Sequence, residues 1–516
     1  MTGLKPDFKE MTHMNRLPTL LTLTFCLLIL GLSASPVLSQ QPESPDTTTS
    51  TQAEPADLGQ DPNRSGSPFA TWLVRAAEAY EAENYQQWAV ALERLHAIRP
   101  FNADFMRQLV MAYALTDRPS RAYNMMLLMQ QQGLSVDWDE IDEVAAIRGT
   151  QVYDHLNRLM VDAANSFGEA EEFAFIPADY PMPEGLAWDS ATGRLFAGTI
   201  RDGVVLVGNP GQDGYEFEVF ADDSVSGLNA VFDVLVDSER GHLWIASGST
   251  SQYRGARTSD FGRTSLIQLD LVSGEKLGEY RVLPDGRPHT LGAITQASDG
   301  TIYATDSLSP NIYVLRPGAE RPEILVYVPG LPSLRGVALN DAEDRLYVSD
   351  YDLGLFFFDL TDSVESFKMG VPDTLNLGGI DGLYFWNDHL VVIQNGISPE
   401  RVLRLKLDES GTRVAEIAPL AVAMDHFDVP TFGVPVEDDL LFMAASHWNH
   451  VRPNGMPLDP PLADIPVLKI SMSEAEELIV GRELLEEIKR NTSPINRPPS
   501  PEPGASDDDS DGDNDG

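Results

Sequence analysis

The chain of 516 residues contains one cysteine, Cys26. It lies in an apolar run near the N-terminus, so the body of the protein has neither a disulfide nor thiol chemistry, and its stability has to come from packing. Positive charge is also scarce. Lys and Arg number 36 against 79 Asp and Glu, a formal net charge of −43. Such a surface repels phosphate backbones and anionic membranes, which argues against nucleic-acid binding and suits solubility in a salty or extracellular setting. HExxH, GxSxG and a phosphate-binding glycine loop are all missing, and with them the common metalloprotease, serine-hydrolase and nucleotide-binding signatures. What is present is an apolar fraction of 42%, ordinary for a globular protein and enough for a large core in two or three domains.

The N-terminus places Lys5, Lys9 and Arg16 before an apolar run at 17–32 and small residues at Ser33, Ala34, Ser35 and Ser39. This is the pattern of an export signal over residues 1–39, and it implies a periplasmic or secreted protein. An uncleaved anchor is the other reading, although the run is shorter than the roughly 20 residues of a spanning helix. Thr24 and Phe25 precede Cys26 where a lipoprotein signal would place small residues. Residues 40–68 are rich in Pro, Ser, Thr and acids, with almost no apolar side chains, and read as a disordered linker.

From 69 to 167 apolar residues recur three and four apart, which predicts helices. Tyr80 and Tyr113 are 33 apart, as are Ala89 and Ala122. That spacing resembles about two tetratricopeptide repeats, with Trp72, Trp88, Leu92, Leu95, Leu109 and Leu127 as filling between helices. A plain four- or five-helix bundle fits the same pattern. Helical repeats need about three units to stand alone, so the stretch from Trp138 to Phe167 is expected to cap the stack or dock it on the next domain.

Residues 168–472 follow a different grammar. MPEGLAWDSATGRLFAGT at 182–199 is an apolar strand, a turn and a second apolar strand. Related hairpins follow with reference positions at Gly185, Asp233, Gly292, Gly336, Gly382 and Gly433, spaced by 48, 59, 44, 46 and 51 residues. Six units of about 50 residues, each with about four short strands, predict a mainly β fold: a six-bladed β-propeller preceded by a small α-helical, tetratricopeptide-like domain. Strand FAFIPA at 173–178 precedes the first hairpin and is expected to complete the last blade, sealing the ring. Beyond it a helix is expected over 473–490, with Ser473 and Glu476 spaced as a capping box. The acidic tail at 491–516 only begins a calcium loop, lacking the closing bidentate acid, and reads as disordered.

In such a ring the residues just before the first strand of each blade, the ends of the second strands and the loops that follow share one face. This places Glu184, Phe232, Leu291, Arg335, Asp381 and Phe432 around an axial mouth, with Asp306, Asp350 and Asn395 just outside them. Two loops there, 248–265 and 447–464, are long enough to act as lids or binding loops. His289, His447 and His450 could supply a base beside a carboxylate. Surface hydrogen bonding is the commoner role for loop histidines, as packing is for Phe232, Phe432 and Trp448.

PEGLAWDSATGRL, RGVALNDAEDRLYVSD and IDGLYF resemble the senescence-marker-protein/gluconolactonase family of six-bladed propellers over roughly 172–472. The resemblance implies an axial divalent metal, held by a Glu before blade one, an Asn before blade four and an Asp before blade five, that helps open a lactone. Glu184 and Asp381 match the two acids, and Arg335 stands at the Asn position. A guanidinium has no lone pair to donate. Either Arg335 forms an internal ion pair with Glu184 and Asp381, or a displaced metal takes its missing oxygen from Asp306, Asp350 or Asn395, in which case calcium is favoured.

Two functions follow. The first and favoured one is an exported binding or assembly protein, with a protein partner on the helical repeats and a small-molecule ligand at the axis near Glu184, Arg335, His289, Asp306, Asp350, Asn395 and His447. The second is a calcium-dependent lactonase-type hydrolase, in which Asp381 or a nearby acid activates water.

Overall fold

A computed structural model describes residues 66–473, apart from Asp213, Ser226, Asp362, Ser363 and Asp459. The export signal, nearly all of the linker, the helix expected at 473–490 and the acidic tail lie outside the described residues. No helix among the described residues is long and apolar enough to cross a membrane.

The chain begins with α1 (Pro68–Glu81), α2 (Tyr85–Ile98), α3 (Ala103–Leu115) and α4 (Pro119–Gln131). Each start has a local cause. The Ser67 hydroxyl accepts from the Ala70 amide and the Asn102 side chain from the Phe105 amide, while Pro68 and Pro119 open α1 and α4, where a proline lacks nothing the helix needs. Trp88, Leu92, Leu95 and Leu109 fill the space between the helices. Leu127 is 42% exposed, contrary to expectation, because Met126 and Met129 take the inward face of α4 and leave Leu127 turned outward. Two 3-10 turns, Trp138–Glu140 and Asp142–Ile147, lead to α5 (Gln151–Asp162). Trp138 is fully buried and donates its indole N–H to the Met160 sulfur, so this stretch covers the end of the helical core.

Six four-stranded antiparallel sheets follow. Blade one is β2 (Pro183–Asp189), β3 (Arg194–Thr199), β4 (Val205–Pro210) and β5 (Tyr215–Ala221), and blade two is β6 (Ala230–Asp237), β7 (His242–Gly248), β8 (Thr264–Asp270) and β9 (Lys276–Arg281). Blade three is β10 (Leu291–Gln296), β11 (Ile302–Asp306), β12 (Asn311–Leu315) and β13 (Glu323–Tyr327). Blade four is β14 (Leu334–Leu339), β15 (Arg345–Asp350), β16 (Gly354–Asp359) and β17 (Glu365–Lys368), and blade five is β18 (Ile380–Trp386), β19 (His389–Gln394), β20 (Arg401–Leu407) and β21 (Val414–Val422). Blade six consists of β22 (Gly433–Val436), β23 (Asp439–Met443), β24 (Ile465–Ser471) and the early strand β1 (Glu171–Ile176), which pairs with β24 and closes the ring. The inner strands alternate with apolar layers shared between neighbouring blades, so each blade buries its faces against the next.

The helices sit on the rim of blades four and five, on the face that carries the starts of the inner strands. Phe101, from the α2–α3 loop, packs among Leu355, Leu375 and Leu377 of the propeller, and Ile397 returns the contact into the helical core. Arg99 pairs with Asp352 at 3.0 Å, both largely buried. Arg401 donates to the Gln132 carbonyl at 3.0 Å and to the Gln394 side chain at 2.7 Å, while the Ser135 amide donates to the Ser398 carbonyl. The helical segment is thus seated through both apolar and polar contacts. Phe101→Ala should lower the melting temperature, costing about 3 kcal/mol for a buried phenyl, and split the calorimetric unfolding into two transitions. A single, unshifted transition would show that the seam does not couple the two parts.

Candidate functional site

The inner strand of five blades is irregular at its start, with register shifts between Glu184 and Leu186, Val231 and Asp233, Leu291 and Ile294, Leu334 and Val337, and Ile380 and Gly382. A bulge frees a side chain from the pleat and re-aims it. Arg335 and Asp381 fall within such shifts, and Glu184 immediately precedes one. Gly185 makes the first possible: its φ is +73°, and a Cβ there would stand 2.5 Å from the Asp233 Cα. The six inner strands enclose an axial cavity of about 240 Å³ that starts one step beyond these bulges and touches Asp233, Tyr384 and Phe432.

Glu184 is buried. One carboxylate oxygen accepts from the Trp448 indole N–H, and the other, also buried, has no hydrogen-bond partner. Burial, followed by the charge of Asp381, pushes its carboxyl well above the usual range, against the pull of Trp448 and Arg335. Asp381 accepts from the Asn395 side-chain amide at 2.9 Å, and its other oxygen lies 3.6 Å from the Arg335 Nε. Burial raises its pKa too, and Arg335 and Asn395 oppose the rise. Asn395 donates to the Pro430 carbonyl and accepts from the Tyr351 hydroxyl. Asp233 accepts from the amides of Val234 and Ile294, yet burial pushes it up to about 7. The structure therefore gathers Glu184, Arg335, Asp381 and Asn395. Arg335 has its ion pair with Asp381, while the group bonded to Glu184 is Trp448.

The remaining sequence candidates lie elsewhere in the blades. Asp306 binds the amides of Thr290, Leu308 and Ser309 and the His289 ring, and Asp350 binds those of Ser333, Asp352 and Leu353. Both brace the turns at their strand ends, with burial pushing Asp350 up to about 6. His447 accepts from the Met182 amide and donates to the Ala463 carbonyl, which ties the long blade-six loop to the start of β2 and leaves neither ring nitrogen free. The two long loops meet over Arg201, which donates to the carbonyls of Gln252 and Asn454. Trp448, Asp233 and Tyr351 were not expected among the polar site residues. Asp233 had a visible signal in the sequence, since an acid stands where all five other repeats have glycine.

A calcium ion requires six to eight oxygen ligands. Here one Glu184 oxygen and one Asp381 oxygen already accept N–H groups, the Asn395 oxygen accepts the Tyr351 hydroxyl, and a guanidinium stands beside Asp381. This arrangement does not fit the ion, and among the described residues no group of three or more His, Cys, Asp or Glu side chains is placed to hold a metal.

The strand order defines the class as a six-bladed β-propeller. In structure the chain is similar to a gluconolactonase from Xanthomonas campestris, at 17% identity and a TM-score of 0.39 over 60% of this chain and 93% of that one. It is also similar to the aldose sugar dehydrogenase of Streptomyces coelicolor in its PQQ-bound form, at 15% identity and a TM-score of 0.41 over 60% and 98% of the two chains. A luciferin-regenerating enzyme matches at 14% identity and a TM-score of 0.41, over 60% and 95%. No family model matches the chain, and no curated protein matches it in sequence.

His289 gives a pH-dependent prediction. Its ring lies 2.7 Å from Asp306 and 3.0 Å from Asp285, and the Asp306 hydrogen bond leads in raising its pKa, against burial. A raised histidine pKa stabilises the fold fully below the unfolded value of about 6.5 and loses that contribution as pH rises through the folded value. His289→Gln should therefore cost more stability in urea unfolding at about pH 5.5 than at about pH 9. An equal loss at both would remove the ion pair from the account.

Proposed function

We propose that the axial mouth is the active site of a small-molecule hydrolase acting on a cyclic ester, the reaction class that the resemblance in the blade motifs implies. The observation that carries this reading is the meeting of two buried carboxyl groups and an arginine from three different blades, where the inner strands leave their ladders. Paired acids whose surroundings treat them differently can divide the roles of acid and base. Asp381, beside a guanidinium and an amide donor, is the better carboxylate. Glu184, deeper and burdened by the charge of Asp381, is the better carboxylic acid.

In the reaction Asp381 takes a proton from water as the water oxygen adds to the ester carbonyl carbon. The ring C–O bond then breaks, and Glu184 gives its proton to the departing alkoxide. The product is an open hydroxy acid, and the two carboxyls return to their starting states by exchanging a proton through solvent. The developing oxyanion requires positive charge nearby. Trp448, Phe232 and Phe432 give the mouth an aromatic wall suited to a small organic substrate.

The assembly reading has less support, because the α2–α3 loop and the end of α4 are engaged with the propeller itself. Purified protein should open members of a panel of five- and six-membered lactones. Asp381→Asn should lower kcat by at least about 100-fold, with a much smaller change in KM. Failure to hydrolyse any lactone or simple ester would remove this function.

A further inference from the structure

We infer that the guanidinium of Arg335 takes the place of a divalent cation at the axis, so that the positive charge of this site belongs to the chain and is offered to an acceptor oxygen of the ligand. Four observations carry the inference. Arg335 sits in the register shift of β14, as Asp381 sits in that of β18, so both side chains are released from their sheets toward the same opening. Its Nε lies 3.6 Å from an Asp381 oxygen, and its charge also reaches Glu184. The group is held in place, with Nη1 donating to the Leu334 carbonyl at 3.1 Å and the guanidinium carbon 5.5 Å from the centre of the Tyr351 ring. Yet Nη2 makes no hydrogen bond among the described residues, and the side chain is 29% exposed.

A metal at this point would need a lone pair from residue 335, and arginine has none. The same geometry leaves a planar fork with a free N–H edge beside the acids, which suits an ester carbonyl oxygen, its oxyanion or the carboxylate of an opened product. This choice of ligand rests on the hydrolase reading. The replacement of the metal does not.

The test needs no substrate. Calcium is titrated calorimetrically into the full-length protein, and thermal melts are run with and without EDTA, for the wild type, Arg335→Asn and Arg335→Gln. The wild type should show no calcium heat and an unchanged melt. A folded variant that restores an amide oxygen should bind one calcium per chain at least about tenfold more tightly than the wild type, and its melting point should fall on chelation. One calcium bound by the wild type would overturn the inference, as would folded amide variants that gain no affinity. If neither variant folds by circular dichroism, the wild-type titration decides alone, with calcium binding overturning the inference and its absence supporting it. Absence of lactone turnover with the metal results as expected would sink the hydrolase and leave the replacement standing.

Discussion

Strand β1 reaches the last blade before the first blade has begun, pairing Glu171 with Lys469 at one end and Ile176 with Ile465 at the other. The pairing is antiparallel, broken only by a register shift between Glu172 and Ala174, and it covers the edge of β24 that blade six would otherwise leave open. It also fixes the circumference. With the ring closed, six inner strands must converge on one axis, and the side chains at their starts are brought to distances that no single blade could set. The contact between Glu184 of blade one and Trp448 of blade six spans that closure, while Arg335 of blade four meets Asp381 of blade five across directly packed neighbours.

The helical segment extends the same rim. Its seam includes a guanidinium, Arg401, that is buried at 7% exposure and has carbonyl and amide oxygens rather than a carboxylate around it. Burial pushes its pKa down to about 10, which still leaves it charged near neutrality. Gln394, which Arg401 holds, is followed in the chain by Asn395, the donor to Asp381. The docking of the helices and the arrangement of the acids are therefore separated by one peptide bond.

Much of this architecture is legible in the sequence, since it rests on local chemistry repeated six times. Glycines at the start of the inner strands and apolar alternation mark the blades, and the leftover strand before the first hairpin announces the closure. The same repeats put Glu184, Arg335 and Asp381 on one ring. Trp448 was harder to place, because it lies in a long loop with no period, and its approach to Glu184 depends on contacts with residues far away in the chain. Asp306 and Asp350 were misleading for a different reason: an acid at a strand end has the same sequence signature whether it faces a ligand or caps a turn, and here both are occupied by backbone amides. Leu127 failed by one residue of helical phase, which the methionines on either side decide.

The irregular starts of the inner strands have an evolutionary consequence. Residues in a regular ladder answer to partners on both sides, so their replacement is judged by the fold. Residues at a bulge answer mainly to what lies in front of them. An arginine can therefore stand at one such position and an aspartate at another while the blade behind each keeps its pairing. A propeller built in this way can exchange the chemistry of its mouth by single substitutions, with selection on stability and selection on activity acting on largely separate sets of residues.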